Sequence, residues 1–387
     1  MTPVSIVGVG MTPVGKFVDR SLRDLTEEAV RAAFADAQLT PDDVDAVFFS
    51  NSVAGIVTGQ ESIRGQTALR YSGLMGKPIF NVENACASGS SAYFLARNAI
   101  ASGMWETVLV VGTEKMAHVD RTVTYRALET ASDLSDRDAA SDHSSSVFMT
   151  IYAEKIKKYM KATGATREDF AWIVVKNHDH AALNPFAQYR NRVSIDEVLE
   201  SPEIAWPLTR LMCSPIGDGS AAMVLSARSS DRGVLAAGCG FSSGNIEKDH
   251  GEHGHAVRRA AVIAYEQAGV GPDDVHLAEV HDAAAPAELE MYEALGFCAE
   301  GDGPRLVRER ATMLGGPLPV NTSGGLVSRG HPVGMTGVAQ LIEATIQLRH
   351  EAGDRQVDGA RVALVQNAGG DIGSVGAASA VHVLRRQ

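Results

Sequence analysis

Short apolar runs alternate with longer amphipathic stretches along this chain, the pattern of βαβ units on a mainly parallel sheet. In the first half SIVGVG reads as a strand and LRDLTEEAVRAAFADAQ as a helix. VDAVFFS is the next strand, and PIFNVEN runs into Cys86, after which a helix extends to about Ala101. TVLVVGTE follows, and its unbroken apolar run predicts burial on both faces. The second half repeats the order with GVLAAGCGF, HAVRRAAVIAYEQAG, VHLAEVHDA, a histidine-bearing loop with its helix, and RVALVQNAGG. Each half closes on a further apolar strand, SAAMVLSA in the first and GAASAVHVL in the second.

The repetition extends to detail. AVRAAFADAQLTPDDVDAVFFSNS begins at Ala29 and AVIAYEQAGVGPDDVHLAEVHDA at Ala261. Both are a helix, a Pro-Asp-Asp-Val turn and a strand. Each copy then leads to a loop of small residues that opens an apolar helix. The first loop, NACASGSSAYFLARNAIASG, carries Cys86; the second, NTSGGLVSRGHPVGMTGVAQLIEATIQL, carries His331. The halves differ between TVLVVGTE and SAAMVLSA, where an insertion of roughly residues 117–215 intervenes. It is polar at first (DLSDRDAASDHSSS), then helical (VFMTIYAEKIKKYMKATG), then irregular (KNHDHAALNPFAQYRNRVS). Insertions of this kind are usually binding loops or lids. The expected domains are therefore 1–116 with 216–230, the insert 117–215, and 231–387.

Composition adds bounds. With 387 residues, 45% hydrophobic and 21% charged, the chain is long enough for a large core and ordinary for a soluble protein. A net charge of −12 argues against nucleic-acid or anionic-membrane binding. The four cysteines, Cys86, Cys213, Cys239 and Cys298, show no CxxC pairing, which points to reduced thiols in a cytoplasmic protein with neither disulfides nor a zinc site. The opening MTPVSIVGVG is too short and glycine-rich for a leader or a membrane span and reads as a buried strand. The charged arms Arg305–Arg310 and Glu351–Arg355 read as solvated surface.

Four places carry candidate chemistry. Cys86 opens a helix, whose free N–H groups and dipole lower a thiol pKa, and its small neighbours admit a substrate; the alternative is an inert buried thiol. His331 lies in Gly330-His331-Pro332-Val333-Gly334, a loop whose glycines and proline fix the aim of a side chain. His281, with Asp282, ends a strand, where catalytic groups of α/β folds often sit. Asn367-Ala368-Gly369-Gly370 ends another, with glycines that free backbone N–H groups for an oxyanion hole or form a plain turn. A cysteine from one half and a histidine from the other make a nucleophile and a base, which points to acyl transfer. His178 and His180, two apart, suit a strand or loop and complete no metal site. Arg329 and Lys176 are candidates for a phosphate or for surface charge. No GxxxxGK[ST], strand-anchored GxGxxG or GxSxG occurs.

With these placed, the chain resembles the thiolase superfamily, in particular the sterol carrier protein X and archaeal acetoacetyl-CoA thiolase branch. The likeness spans nearly the whole chain through NVENACASGSSA, KNHDHAALNPFAQ, MCSPIGDGSAAMVL, VHDAAAPAELEMYEALGFC and NTSGGLVSRGHPVGMTGVAQ. It implies an α/β thiolase fold, two βαβαβαββ halves in a five-layered αβαβα sandwich, with a loop domain over the pantetheine arm of CoA. It implies Cys86 as acyl-accepting nucleophile, His331 as its activator, His281 beside the thioester oxygen, and Gly369 with the Cys86 N–H as a second oxyanion hole. Asn184, Phe186, Ser323, Gly324 and Gly334 are the implied substrate and CoA contacts. Coenzyme A enters as substrate or product, with no resident cofactor and no metal. The resemblance further implies a homodimer, with a small zinc-ribbon/OB-fold partner in some relatives. One departure stands out. The family's second cysteine falls at Asn367 in one branch and Ala283 in the other, and neither position holds sulfur. A thiolase acting on a bulky or aromatic acyl group, a retro-aldolase or carbon-acylating enzyme, and a non-catalytic CoA-binding subunit all remain open at this point.

Overall fold

The structure, a computed structural model, describes residues 2–136, 146–228, 230–249, 254–373 and 375–387. Its frame is a nine-stranded mixed sheet built from two matching halves. In the first half the strands are β1 (Ser5–Met11), β2 (Ala46–Ser50), β3 (Ile79–Val82), β4 (Thr107–Glu114) and β5 (Gly219–Ser226). In the second they are β6 (Val234–Ser242), β7 (Leu277–Glu279), β8 (Val362–Ile372) and β9 (Val375–Arg386). The spatial order is β3-β2-β4-β5-β1-β6-β9-β8-β7. The second half mirrors the first, and a parallel bridge between Ala278 and Val320 stands where β3 stands beside β2. The two half-sheets meet where β1 pairs with β6, Ser5 with Leu235 and Ile6 with Val234.

Helices cover both faces of each half. Helix α1 (Leu22–Ala37) packs on β1 and β5, and α2 (Ser88–Ala101) on β2 and β4. The insertion supplies α3 (Arg121–Glu129), α4 (Val147–Thr163) and α5 (Arg167–Ala182). The second half adds α6 (Gly254–Ala268), α7 (Ala287–Ala294) and α8 (Val333–Leu348). Helix α8 touches α2 and strands of both halves. With α1 and α6 outside, α2 and α8 therefore form a middle helical layer, and the αβαβα order follows. All but one residue of α8 is buried, as a helix sandwiched on all sides must be.

The duplication has a packing cause. Gly8 and Gly10 on β1 let α1 lie against the strand: a Cβ at Gly10 would stand 2.4 Å from Ala33 N. Gly238 and Gly240 do the same for α6 on β6, with Ala264 O and Ala260 O at 2.0 and 1.9 Å from such a Cβ. The Pro-Asp-Asp turns fold alike as 3₁₀ turns, Pro41–Asp43 and Pro272–Asp274, each with an aspartate carboxylate accepting from the backbone three residues back.

Two expectations change. His178 and His180 lie on helix α5, not on an irregular segment. Thr166 and Asp169 form a capping box that starts this helix, and burial on several sides blurs the amphipathic period that would have announced it. Arg355, placed in a solvated arm, is buried and forms a forked pair with Glu343. The polar opening of the insertion, DLSDRDAASDHSSS, lies outside the described residues at positions 137–145.

Candidate active site

Cys86 stands at the point where β3 turns into α2. Ala85 takes φ +49°, a left-handed conformation that a side chain rarely adopts, so the chain bends sharply just before the sulfur. Ser88 Oγ holds the bend by accepting from Asn84 N at 2.9 Å and donating to Ala85 O at 2.6 Å. Asn84 Nδ2 donates to Ser91 Oγ one turn further. Gly369 packs beneath: a Cβ there would stand 2.2 Å from Asn84 O, 2.3 Å from Ala87 N and 2.8 Å from Cys86 N. Only glycine lets the end of β8 approach the nucleophile loop this closely.

His331 arrives from the other half. Its Nε2 lies 3.2 Å from Cys86 Sγ and its Nδ1 lies 2.7 Å from Thr336 Oγ1. The Thr336 hydroxyl donates its one proton to Pro332 O at 2.9 Å, so it accepts from Nδ1–H. That network assigns the proton to Nδ1 and leaves the Nε2 lone pair facing the thiol. Glu114, at the buried end of β4, anchors the loop by accepting from Gly334 N, Ser52 N and Ala54 N.

His281 follows β7, its ring edge-on to that of His331 with centroids 5.1 Å apart. Its backbone N–H donates to Gln366 Oε1 at 2.9 Å, while its Nε2 is buried without a partner among the described residues. Both rings are titrated downward: burial is the main cause, and the Arg329 cation adds to it, taking His281 to about 4 and His331 well below its ordinary value. Both are neutral near pH 7. The helix start was expected to lower the Cys86 thiol; instead burial, reinforced by the Glu114 and Glu83 carboxylates, pushes it up to about 12. Desolvation outweighs the helix dipole here. The pair rests as thiol and neutral imidazole, and the proton must move as the sulfur attacks.

A cavity of about 870 Å³ opens over this group, lined by Cys86, His281, His331, Gln366, Gly369 and Ala283 among others. Asn367 does not line it. Strand alternation turns its carboxamide inward, where Nδ2 donates to Gln340 Oε1. Gln366 takes the cavity side, and the same alternation read from QNAGG would have found it. Thr336, one helical turn past His331, was also missed; an i, i+5 partner in a loop–helix junction leaves no pattern in the sequence. Asn184, Phe186, Ser323, Gly324 and Gly334 are likewise absent from the lining, and their polar groups work inside the fold. Asn184 bridges Ser323 O and Phe186 N, Ser323 Oγ donates to Glu279, Gly324 packs on Ala181, and Gly334 N donates to Glu114.

Arg329 and Lys176, weighed as phosphate or surface cations, are both buried. Lys176 pairs with Glu288 at 2.6 Å. The three guanidinium nitrogens of Arg329 have no hydrogen-bond partner among the described residues; its charge is balanced by Glu279, Asp282 and Glu343 nearby. Cys86, His281 and His331 are also a set whose ligand atoms lie within 4.8 Å of one another, close enough to compete for a soft metal ion.

Comparison with known proteins decides the family. The thiolase N-terminal domain model matches residues 4–229 and the thiolase C-terminal domain-like model residues 241–386. The chain belongs to the thiolase superfamily. This thiolase is 38% identical to the acetyl-CoA acetyltransferase of Methanothermobacter thermautotrophicus, with full coverage of both chains. It is 39% identical to human sterol carrier protein 2 over 95% of its own length and 70% of the relative's. Benzoylsuccinyl-CoA thiolase subunit BbsB of Thauera aromatica is 35% identical, covering 95% and 94%. A solved Ltp2-ChsH2(DUF35) aldolase superposes with TM-score 0.81 at 25% identity, covering 100% of this thiolase and 98% of that chain. The thiolase fold is thus shown, and the enzyme is an acyltransferase of the thiolase type. Among the described residues no helix is long and apolar enough to cross a membrane.

Proposed function

We propose that this thiolase cleaves or forms β-ketoacyl-CoA through an acyl group on Cys86. The observation that carries the reading is the 3.2 Å contact between Cys86 Sγ and a His331 Nε2 whose other nitrogen is held by Thr336. In the cleavage direction the Cys86 proton passes to His331 Nε2 as the sulfur attacks the β-keto carbon. The Cα–Cβ bond breaks, its electron pair goes to Cα as the enolate of the departing acyl-CoA, and that carbon takes up a proton. Free CoA thiol then attacks the acyl-cysteine, giving its proton to His331 Nε2; the sulfur–carbonyl bond to Cys86 breaks and the sulfur takes that proton back as a thiol. Since neither Ala283 nor Asn367 can carry the proton to Cα, the imidazolium formed at His331 is the proposed donor. His281 Nε2 and the Cys86 and Gly369 backbone N–H groups are the proposed oxyanion donors. The exposed cations Lys16, Arg121 and Arg210, which line the cavity, are candidates for the CoA phosphates.

The test is intact-mass analysis after incubation with a panel of acyl-CoAs and β-ketoacyl-CoAs. An acyl adduct mapping to Cys86 is expected, with no adduct and no turnover for a folded Cys86→Ala variant. Near-normal turnover by that variant would falsify the mechanism. Turnover unchanged by EDTA is also expected; loss on chelation and recovery with zinc would favour the metal reading of the same three side chains.

A retro-aldolase is the second reading, favoured by the likeness to the Ltp2-ChsH2(DUF35) aldolase and by the missing second sulfur. Such an enzyme needs no acyl-cysteine, so an intact Cys86–His331 pair speaks for the thiolase. We infer a cytoplasmic homodimer, and the two-component name of that aldolase is the support for a partner protein.

A further inference from the structure

Helix α7 carries three glutamates, and two are fully engaged. Glu288 takes hydrogen bonds from Asn177, Asn321 and Tyr292 and the Lys176 ion pair. Glu293 accepts from Tyr159 and Gly303 N. Glu290 is different. It lines the catalytic cavity and has no hydrogen-bond or ion-pair partner among the described residues. Its side chain is half-buried and opens onto the cavity, where a ligand can reach it.

Its surroundings narrow the ligand. Tyr152 lines the same cavity and lies within electrostatic reach of both Cys86 and Glu290. Lys155, from the inserted helix α4, and Asp371, from the end of β8, also line the cavity and pair with each other at 2.6 Å. Lys155 makes its ion pair with Asp371, and its charge also acts on Glu290 from farther off. The rest of this part of the wall includes Phe148, Met149 and Met291. An apolar chamber with a few convergent polar groups is how a site selects a ligand that is mostly hydrocarbon with one polar function. Among the described residues, Lys155, Asp371 and Glu290 bring no net positive charge to this part of the wall, which disfavours an anionic function. An acceptor carboxylate without a donor favours a hydroxyl.

We propose that Glu290 is a specificity-determining residue that accepts a hydrogen bond from a hydroxyl on the acyl group of the substrate, making this a thiolase for hydroxylated, largely apolar acyl chains. The inference rests on the acyl-Cys86 reading and deepens it. Burial and the Glu293 charge raise the Glu290 carboxyl to about 7, opposed by Lys155, as expected for a group lacking its partner in the free enzyme.

The experiment uses β-ketoacyl-CoAs of several chain lengths, each as the parent, the terminal hydroxyl and the terminal carboxylate. Binding is measured by calorimetry on Cys86→Ala, which needs no chemistry, and kcat/KM on the wild type and on Glu290→Leu and Glu290→Gln. At the best length, and at about pH 8.5 where the Glu290 carboxyl is ionised, the hydroxyl compound is expected to bind about tenfold or more tightly than its parent, the range of a hydrogen bond to a charged group. Glu290→Leu should reverse that order while still turning over the parent, and Glu290→Gln should keep part of it. Equal affinity for hydroxyl and parent at every length, or a preference for the carboxylate, overturns the proposal. If the preference is present on Cys86→Ala while no acyl adduct forms on wild-type Cys86, the specificity stands and the mechanism fails. If adducts form without preference, the reverse holds.

Discussion

At the scale of the residue, the site depends on keeping two buried histidines neutral. Arg329, two residues before His331, is one cause, since its cation opposes a second positive charge on either ring. A base must be unprotonated to act, so a depressed His331 pKa extends activity to lower pH. Replacing the cation removes part of the depression and lets protonation begin at higher pH. Arg329→Met is therefore expected to move the acidic limb of acyl-enzyme formation upward toward pH 6.5, while Arg329→Lys, which keeps a charge, leaves it nearer its place. A pH–rate profile of Cys86 acylation decides this, and identical limbs in all three proteins would refute the electrostatic role.

At the scale of the element, geometry comes from close contacts between backbone segments. The nucleophile bend at Ala85 is held from above by Ser88 and from below by Gly369. A methyl group at position 369 meets three backbone atoms inside 3.0 Å, and backbone cannot yield as a flexible side chain does. Gly369→Ala should displace Cys86 from His331 and lower the acylation rate by about 100-fold, the cost of a misplacement near 1 Å. Far-UV circular dichroism should remain native, and an unchanged acylation rate would show that the loop adapts. Much at this scale was legible beforehand. The Pro-Asp-Asp turns, the strands, and the helices after Cys86 and His331 were read from periodicity and turn chemistry. Helix α5 was not, because its buried faces erase the polar stripe that periodicity needs.

At the scale of the whole molecule, the insertion and the second half are joined by a buried polar network. Lys176 and Asn177 on α5 reach Glu288 and Asp282, and Asn321 closes on Glu288. Removing one member strands a buried charge, which costs more than the net worth of the pair. Lys176→Met is expected to destabilise the protein by about 3–5 kcal/mol, seen as a lower urea midpoint at unchanged m-value. A shift within experimental error would show that the Lys176–Glu288 pair adds nothing to stability. Asp282 follows His281, so the Asn177–Asp282 bond fastens α5 to the strand end that carries a site histidine.

The sequence by itself determined the duplicated α/β frame and put Cys86 and His331 each at the start of a matching helix, because local period, turn chemistry and repetition are properties of a chain read in order. Tertiary structure alone decided which polar residues face the cavity. Gln366 and Glu290 look into it, while Asn367, Ser323 and Asn184 look away, and that choice is set by how strands and helices pack. It also decided the sign of the Cys86 shift. The helix start is visible in the sequence, but the burial and the Glu114 and Glu83 carboxylates that overrule it come from segments that meet only in the fold.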